Sequence, residues 1–301
     1  MNAIVADMDL ALANAAAYFA AAGLCGAPAP PQRGQPDHAL DGLQFHGDFE
    51  RGPLVTDGAQ ATYEGVLVAN LLDRALVEQI LPPTIGLARP VNPLQTLHPI
   101  VYLLGRQSDT CLLNNGHLTP AGKPYNELIL LVPYVVHAGV EDRWHNFAAR
   151  MYLDDAAATL IGDFGYAYAK EIGEFTLFGA EAEVGMNGNV VLQNDVTEAS
   201  AWMDEAQAKA MLPGFADARQ ILDMPIIGVS NICGRVRSYF EWDCSNAQIA
   251  AADSVHRFDQ AFRPGMQPWV DLGFLANAPH AAFKLRKVCW RLSTTLPDQH
   301  F

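Results

Sequence analysis

From about residue 59 the chain is cut into short apolar segments rich in β-formers: TYEGVLVANL, HPIVYLLG, ELILLVPYVV, VGMNGNVVLQNDV and DMPIIGVSNICG. Gly, Asn and Pro punctuate them, which is the signature of strands joined by tight turns. Only a few helical patches interrupt the series. DRALVEQIL starts at the N-cap candidate Asp73 and stops before Pro82 and Pro83. Residues 197–212 have an N-cap candidate at Thr197 and stop at Pro213, and a short helix follows Asp154 and Asp155 through AAATLIG. Strands and helices do not alternate regularly, which argues against a doubly wound parallel sheet. The expectation is α+β: a mainly antiparallel sheet, closed or nearly closed into a barrel, with a few flanking helices.

The segment before this region reads differently. Residues 4–23 are rich in Ala and Leu and favour helix, and Gly26, Pro28, Pro30 and Pro31 stop it. Residues 26–58 lack periodicity and read as a loop or wrapping arm. The expected organisation is an N-terminal helix and Pro/Gly-rich arm over 1–45, then one domain over 46–301.

Composition removes several function classes. Half of the 301 residues are apolar, enough to bury a core. The net charge of −14 argues against nucleic acid and against an anionic membrane surface as partners. The longest apolar stretch, Leu128 to Val136, contains Pro133 and is far too short to span a bilayer. Asp7 and Asp9 stand where a signal peptide needs Lys or Arg. Five separated cysteines with no Cys-x-x-Cys pair fit buried thiols in a reducing compartment, so a cytoplasmic location is expected. His117, His137 and His145 lack the spacing of a metal site and read as surface or core histidines. No G-x-G-x-x-G, G-x-x-x-x-G-K-[ST] or G-x-S-x-G occurs.

Only five residues are lysine: Lys123, Lys170, Lys209, Lys284 and Lys287. Lys170 lies in YAYAKEIGEF, where Tyr166, Tyr168 and Lys170 alternate and would share one face of a strand. Spacing alone leaves two placements. The lysine turns outward to pair with Glu171 or Glu174, the ordinary case, or it turns towards the core with the tyrosines. Burial disfavours an ammonium, and a neutral amine attacks carbonyl groups.

The segment MYLDDAAATLIG…AYAKEIGEF resembles the signature of the acetoacetate decarboxylase family, and PYNELILLVPY resembles that family's Tyr-x-Glu followed by an apolar strand. RALVEQILPP and residues 258–292 are weaker echoes, so the likeness runs over about residues 50–292. The resemblance implies the family's barrel over 46–301 and places its Schiff-base lysine on Lys170. It places the active-site glutamate on Glu127, a neighbouring tyrosine on Tyr125, and a site arginine near Tyr63. Tyr168 is a candidate orienting hydroxyl. His98, before Pro99, starts a strand near the expected site, where it lines the pocket or serves as a turn residue. Departures accompany the match. The family's second lysine is Glu171, its Gly-Arg-Glu is Gly162-Asp163-Phe164, and no Asp or Glu between Glu78 and Asp109 supplies its second carboxylate. Strand alternation points Glu171 away from the site.

The implied function is a carbon–carbon lyase that uses a Lys170 iminium on a keto or aldehyde substrate, in aldol or dehydration chemistry. Decarboxylation of a β-keto acid and non-catalytic binding of a small molecule are the alternatives. A covalent imine needs no cofactor and no metal. The partners implied are a small-molecule carbonyl substrate and copies of the chain in a homo-oligomer.

Overall fold

The structure, a computed structural model, describes residues 40, 43–137, 140–178, 180–230, 234–258, 280–294 and 296–297. The expected N-terminal helix over 4–23 lies outside them.

The strand-rich segments join one mixed, mainly antiparallel sheet. Its hydrogen-bonded order is β16 (Leu296–Pro297), β12 (Gly234–Ser238), β11 (Ile226–Ser230), β6 (Val140–Leu153), β5 (Tyr125–His137), β3 (Leu97–Asn114), β1 (Gly58–Asp73), β15 (His280–Ser293), β14 (Gln248–Phe258), β10 (Asn189–Glu198), β9 (Glu181–Met186) and β8 (Glu174–Phe178), with β13 (Phe240–Asp243), β2 (Ile85–Leu87), β4 (His117–Pro120) and β7 (Lys170–Ile172) attached at the side. The strands at its centre are long: β1 (Gly58–Asp73), β3 (Leu97–Asn114), β5 (Tyr125–His137), β6 (Val140–Leu153) and β15 (His280–Ser293). Among the described residues no ladder joins β16 (Leu296–Pro297) to β8 (Glu174–Phe178), so the sheet is an open path where a closed or nearly closed barrel was expected.

Both faces of the central strands are covered. One core cluster contains Tyr63, Leu67, Leu103, Ile129, Met151 and Trp290. The other contains Val66, Tyr102, Leu104, Leu128, Tyr152 and Phe258. Double burial explains why ELILLVPYVV is a continuous apolar run rather than an alternating one. Each large side chain so buried contributes about 1.5–3 kcal/mol. Pro133 is tolerated in β5 because it sits where the pairing with β6 slips, between Val132 and Val135. The carbonyl of Pro133 accepts a hydrogen bond from His98 Nε2 at 2.8 Å. His98 is thus a fully buried strand residue, not a turn residue.

The helices are short. In α1 (Arg74–Glu78) the Asp73 side chain accepts from the Ala75 N–H, as its sequence position predicts. Helix α2 (Ala156–Tyr166) starts at Asp155, whose carboxylate accepts from Ala158 N. The helix expected over 197–212 is shorter. Thr197 lies in β10 (Asn189–Glu198), paired with Asp253 of β14 (Gln248–Phe258). Helix α3 (Glu205–Met211) starts at Asp204, which forms a reciprocal capping box with Gln207. Helix α4 (Phe215–Asp223) follows and buries Phe215, Ala218, Ile221 and Leu222 in the first core cluster.

Candidate active site

Three strands and one helix converge on Lys170. Strand β6, helix α2 and β7 (Lys170–Ile172) form a crossover unit, and β7 pairs parallel to β6 with Lys170 opposite Met151. A parallel return requires a crossover segment, and α2 supplies it. Ala167, in the left-handed region at φ 51°, ends the helix, so the chain turns before the strand begins. Tyr166 therefore closes a helix rather than sharing a strand face with Tyr168 and Lys170. The tyrosine rings stack at 5.6 Å instead.

The Lys170 side chain lies across α2, and Gly162 makes room for it. A Cβ at Gly162 would stand 2.1 Å from Lys170 Cδ and 2.2 Å from Cε. The Lys170 backbone N–H donates to Asp163 Oδ1 at 2.8 Å, which fixes the first residue of β7. At its end, Nζ meets Glu127 Oε1 at 3.2 Å, with the lysine side chain 11% exposed and the glutamate 5%. Neither charge is left alone in the interior, where an unpaired ion costs several kcal/mol. Glu171 turns to the opposite side and pairs with Arg150 at 2.7 Å.

Glu127 is placed by register. It stands opposite Gly105 of β3, which stands opposite Gly65 of β1. The two glycines leave a depression for the Tyr63 ring. A Cβ at Gly105 would be 2.7 Å from Tyr63 Cε2, and one at Gly65 would be 2.5 Å from its hydroxyl. Tyr63 donates to Val66 O at 2.9 Å. At the start of β5, Asp154 holds Asn126 twice, from its backbone N and its Nδ2, each at 2.7 Å. Asp155 caps the helix, as helix-start chemistry predicts, while Asp154 clamps the strand that carries Tyr125 and Glu127.

The three tyrosines near the carboxylate are buried, and their hydroxyls hold their protons. Burial and then the Glu127 charge push Tyr63 and Tyr125 well above the ordinary phenol value. Burial does the same to Tyr168, partly opposed by its hydrogen bond with Ser238. They are hydrogen-bonding groups, and Glu127 is the carboxylate within hydrogen-bond reach of Nζ.

Sequence reading missed two members of this cluster. Gln107 Nε2 donates to Glu127 Oε2 at 3.1 Å, and Trp290 Nε1 donates to Gln107 Oε1 at 2.6 Å. Buried placement of Gln107 was readable from the apolar run HPIVYLLG that precedes it, but its partner 183 residues away was not. His98 is not brought to the site. It lies seven residues along β3 from Gly105, roughly 23 Å at the rise of a strand. Its Pro133 contact and the ring of Phe45, 5.2 Å away, account for its placement. A cleft of about 370 Å³ lined by Val55, Tyr239, Phe240 and Trp242 does not contain Lys170. The Trp242 ring at its edge packs 6.1 Å from Tyr63. Among the described residues no group of three or more His, Cys, Asp or Glu could hold a metal ion, and no helix is long and apolar enough to cross a membrane.

No family model matches this sequence, and no curated protein sequence matches it. Solved structures do. An acetoacetate decarboxylase from Legionella pneumophila subsp. pneumophila str. Philadelphia 1 matches with a TM-score of 0.52 at 12% identity, covering 90% of this chain and 99% of that one. An acetoacetate decarboxylase-like enzyme from Sphingomonas wittichii RW1 matches with a TM-score of 0.50 at 16% identity, covering 82% of this chain and 96% of that one. The enduracididine biosynthesis enzyme MppR, complexed with pyruvate, matches with a TM-score of 0.50 at 13% identity, covering 82% and 92%. These matches show that the chain has the acetoacetate decarboxylase-like fold, in a divergent sequence.

Proposed function

We propose that this protein is a Schiff-base-forming carbon–carbon lyase that acts on a keto or aldehyde substrate. The observation that carries the reading is the largely buried Lys170 amine, 3.2 Å from a buried carboxylate. In this reading the amine adds to the carbonyl carbon and the carbonyl oxygen takes a proton, giving a carbinolamine. Loss of its hydroxyl with a second proton releases water and leaves an iminium. Glu127 then removes a proton from the adjacent carbon, and the C–H electrons form an enamine. The enamine carbon attacks an aldehyde, whose oxygen takes the proton back from Glu127. A second proton then leaves the α carbon, its C–H electrons form the double bond as that hydroxyl departs with a proton as water, and hydrolysis of the iminium frees product and Lys170. The protonated lysine imine is the electron sink, so no cofactor is required. The Tyr125 hydroxyl, with no hydrogen-bond partner among the described residues, is left to orient the carbonyl oxygen.

One observation favours aldol and dehydration chemistry over decarboxylation of a β-keto acid. The residue in place of the family's arginine, Asp163, brings negative charge beside Lys170, and Arg150 is engaged by Glu171. A substrate carboxylate gains little from such surroundings. Incubation with pyruvate, acetoacetate or a test aldehyde, then borohydride and mass mapping, should place an irreversible adduct on Lys170. An adduct elsewhere, or none with any of these carbonyls, sinks the reading. Lys170→Ala separates enzyme from binder: a binder keeps its ligand, whereas a Schiff-base enzyme loses all turnover.

A further inference from the structure

Glu127 has two carboxylate oxygens with different neighbours. Oε1 faces Lys170 Nζ at 3.2 Å, and Oε2 receives Gln107 Nε2 at 3.1 Å. An indole N–H only donates, so Trp290 compels Gln107 to turn its carbonyl oxygen to the indole and its NH2 to Glu127. An amide NH2 never accepts, so a proton cannot pass from Glu127 towards Gln107. Trp290, Gln107 and Glu127 are 5%, 2% and 4% exposed, which leaves little room for water to replace a link. The indole is itself pinned by Phe240, 5.2 Å away.

We infer that Gln107, locked by Trp290, is a positioning residue that commits Glu127 to proton transfer through the oxygen facing Lys170. The inference rests on the Lys170 imine reading for its consequence, but the linkage from Trp290 to Glu127 is testable without it.

Two measurements test it. The Trp290 indole N–H resonance in ¹⁵N-labelled protein should move in Gln107→Leu, and also in Glu127→Gln, which alters only the far end of the chain. An indole signal unmoved by Glu127→Gln overturns the linkage. The second measurement uses pyruvate in D2O. Glu127 takes a methyl proton from the iminium, exchanges it with solvent and returns a deuteron, so exchange reports the base while borohydride trapping reports the imine. Gln107→Leu should trap pyruvate on Lys170 as before and exchange its methyl hydrogens about tenfold more slowly or worse. Trp290→Phe should act in the same direction. Gln107→Glu keeps the contact to Trp290 but, ionised, cannot donate to Glu127, so exchange should fall at neutral pH and return as the pH is lowered. Trapping and exchange lost in parallel, with no recovery in acid, would mark a merely structural role and overturn the inference. A wild-type protein that traps nothing overturns the imine reading instead, and the indole measurement still decides the linkage.

Discussion

Lys170 reaches Glu127 because Gly162 has no side chain. Glycine in a helix interior is destabilising by roughly 0.5–1 kcal/mol relative to alanine, yet here the missing Cβ is the space the lysine occupies. Gly162→Ala gains helix propensity but displaces Lys170 from buried Glu127, and the broken pair outweighs the gain, so the thermal midpoint should fall. The displaced Lys170 should form borohydride-trapped adduct at least about tenfold more slowly, since about 1.4 kcal/mol of misplacement has that effect. Adduct formation at the wild-type rate would show that the lysine reaches Glu127 by another path. Lys170 and Glu127, which the structure brings within 3.2 Å, could be singled out in the sequence because each sits in a local motif. The lysine's orientation was not. The alternation of Tyr166, Tyr168 and Lys170 was counted across a helix end, and that end is made by a left-handed alanine, Ala167, where glycine is the usual signal.

Among the elements, α2 decides the geometry, because it sets where β7 begins. Its N-terminus depends on Asp155, whose carboxylate accepts from Ala158 N at 2.7 Å. Asp155→Ala should lower stability by about 0.5–2 kcal/mol in urea unfolding, with Asp155→Ser recovering most of it. No loss in the alanine variant would mean that the Thr159 hydroxyl, which bonds the Asp155 carbonyl at 2.8 Å, suffices to hold the first turn. Helix starts set by local chemistry were legible at Asp73 and Asp155. Thr197 misled for a non-local reason: β10 pairs with β14 there, and pairing outweighs a capping preference. The true start was local and readable, since Asp204 followed three residues later by Gln207 is a capping-box spacing. The strands were legible as segments but not as a topology. Which edge β15 offers to β1, β14 and β13 depends on partners up to the full length of the domain away.

Across the whole molecule, two buried histidines, His98 and His145, favour the neutral form in the folded state. Burial holds His98 down at about 3, with its Pro133 hydrogen bond only partly opposing the effect. His145 is held at about 4, first by burial and then by the Arg237 charge. In the unfolded chain both would titrate near 6.5. Between about pH 6.5 and pH 4 the unfolded state thus binds more protons than the folded state, so stability rises with pH through that window and is lost as pH falls. Each group contributes at most about 1.4 kcal/mol per pH unit. The thermal midpoint should therefore be flat above pH 7 and fall steeply below pH 6. His98→Gln tests the source, because glutamine supplies a donor for the Pro133 carbonyl and does not titrate. It should leave the midpoint near neutrality little changed and reduce its acid-side slope. An unaltered slope would assign the acid sensitivity to other groups and leave His98 with only the task of satisfying the bulged carbonyl of β5.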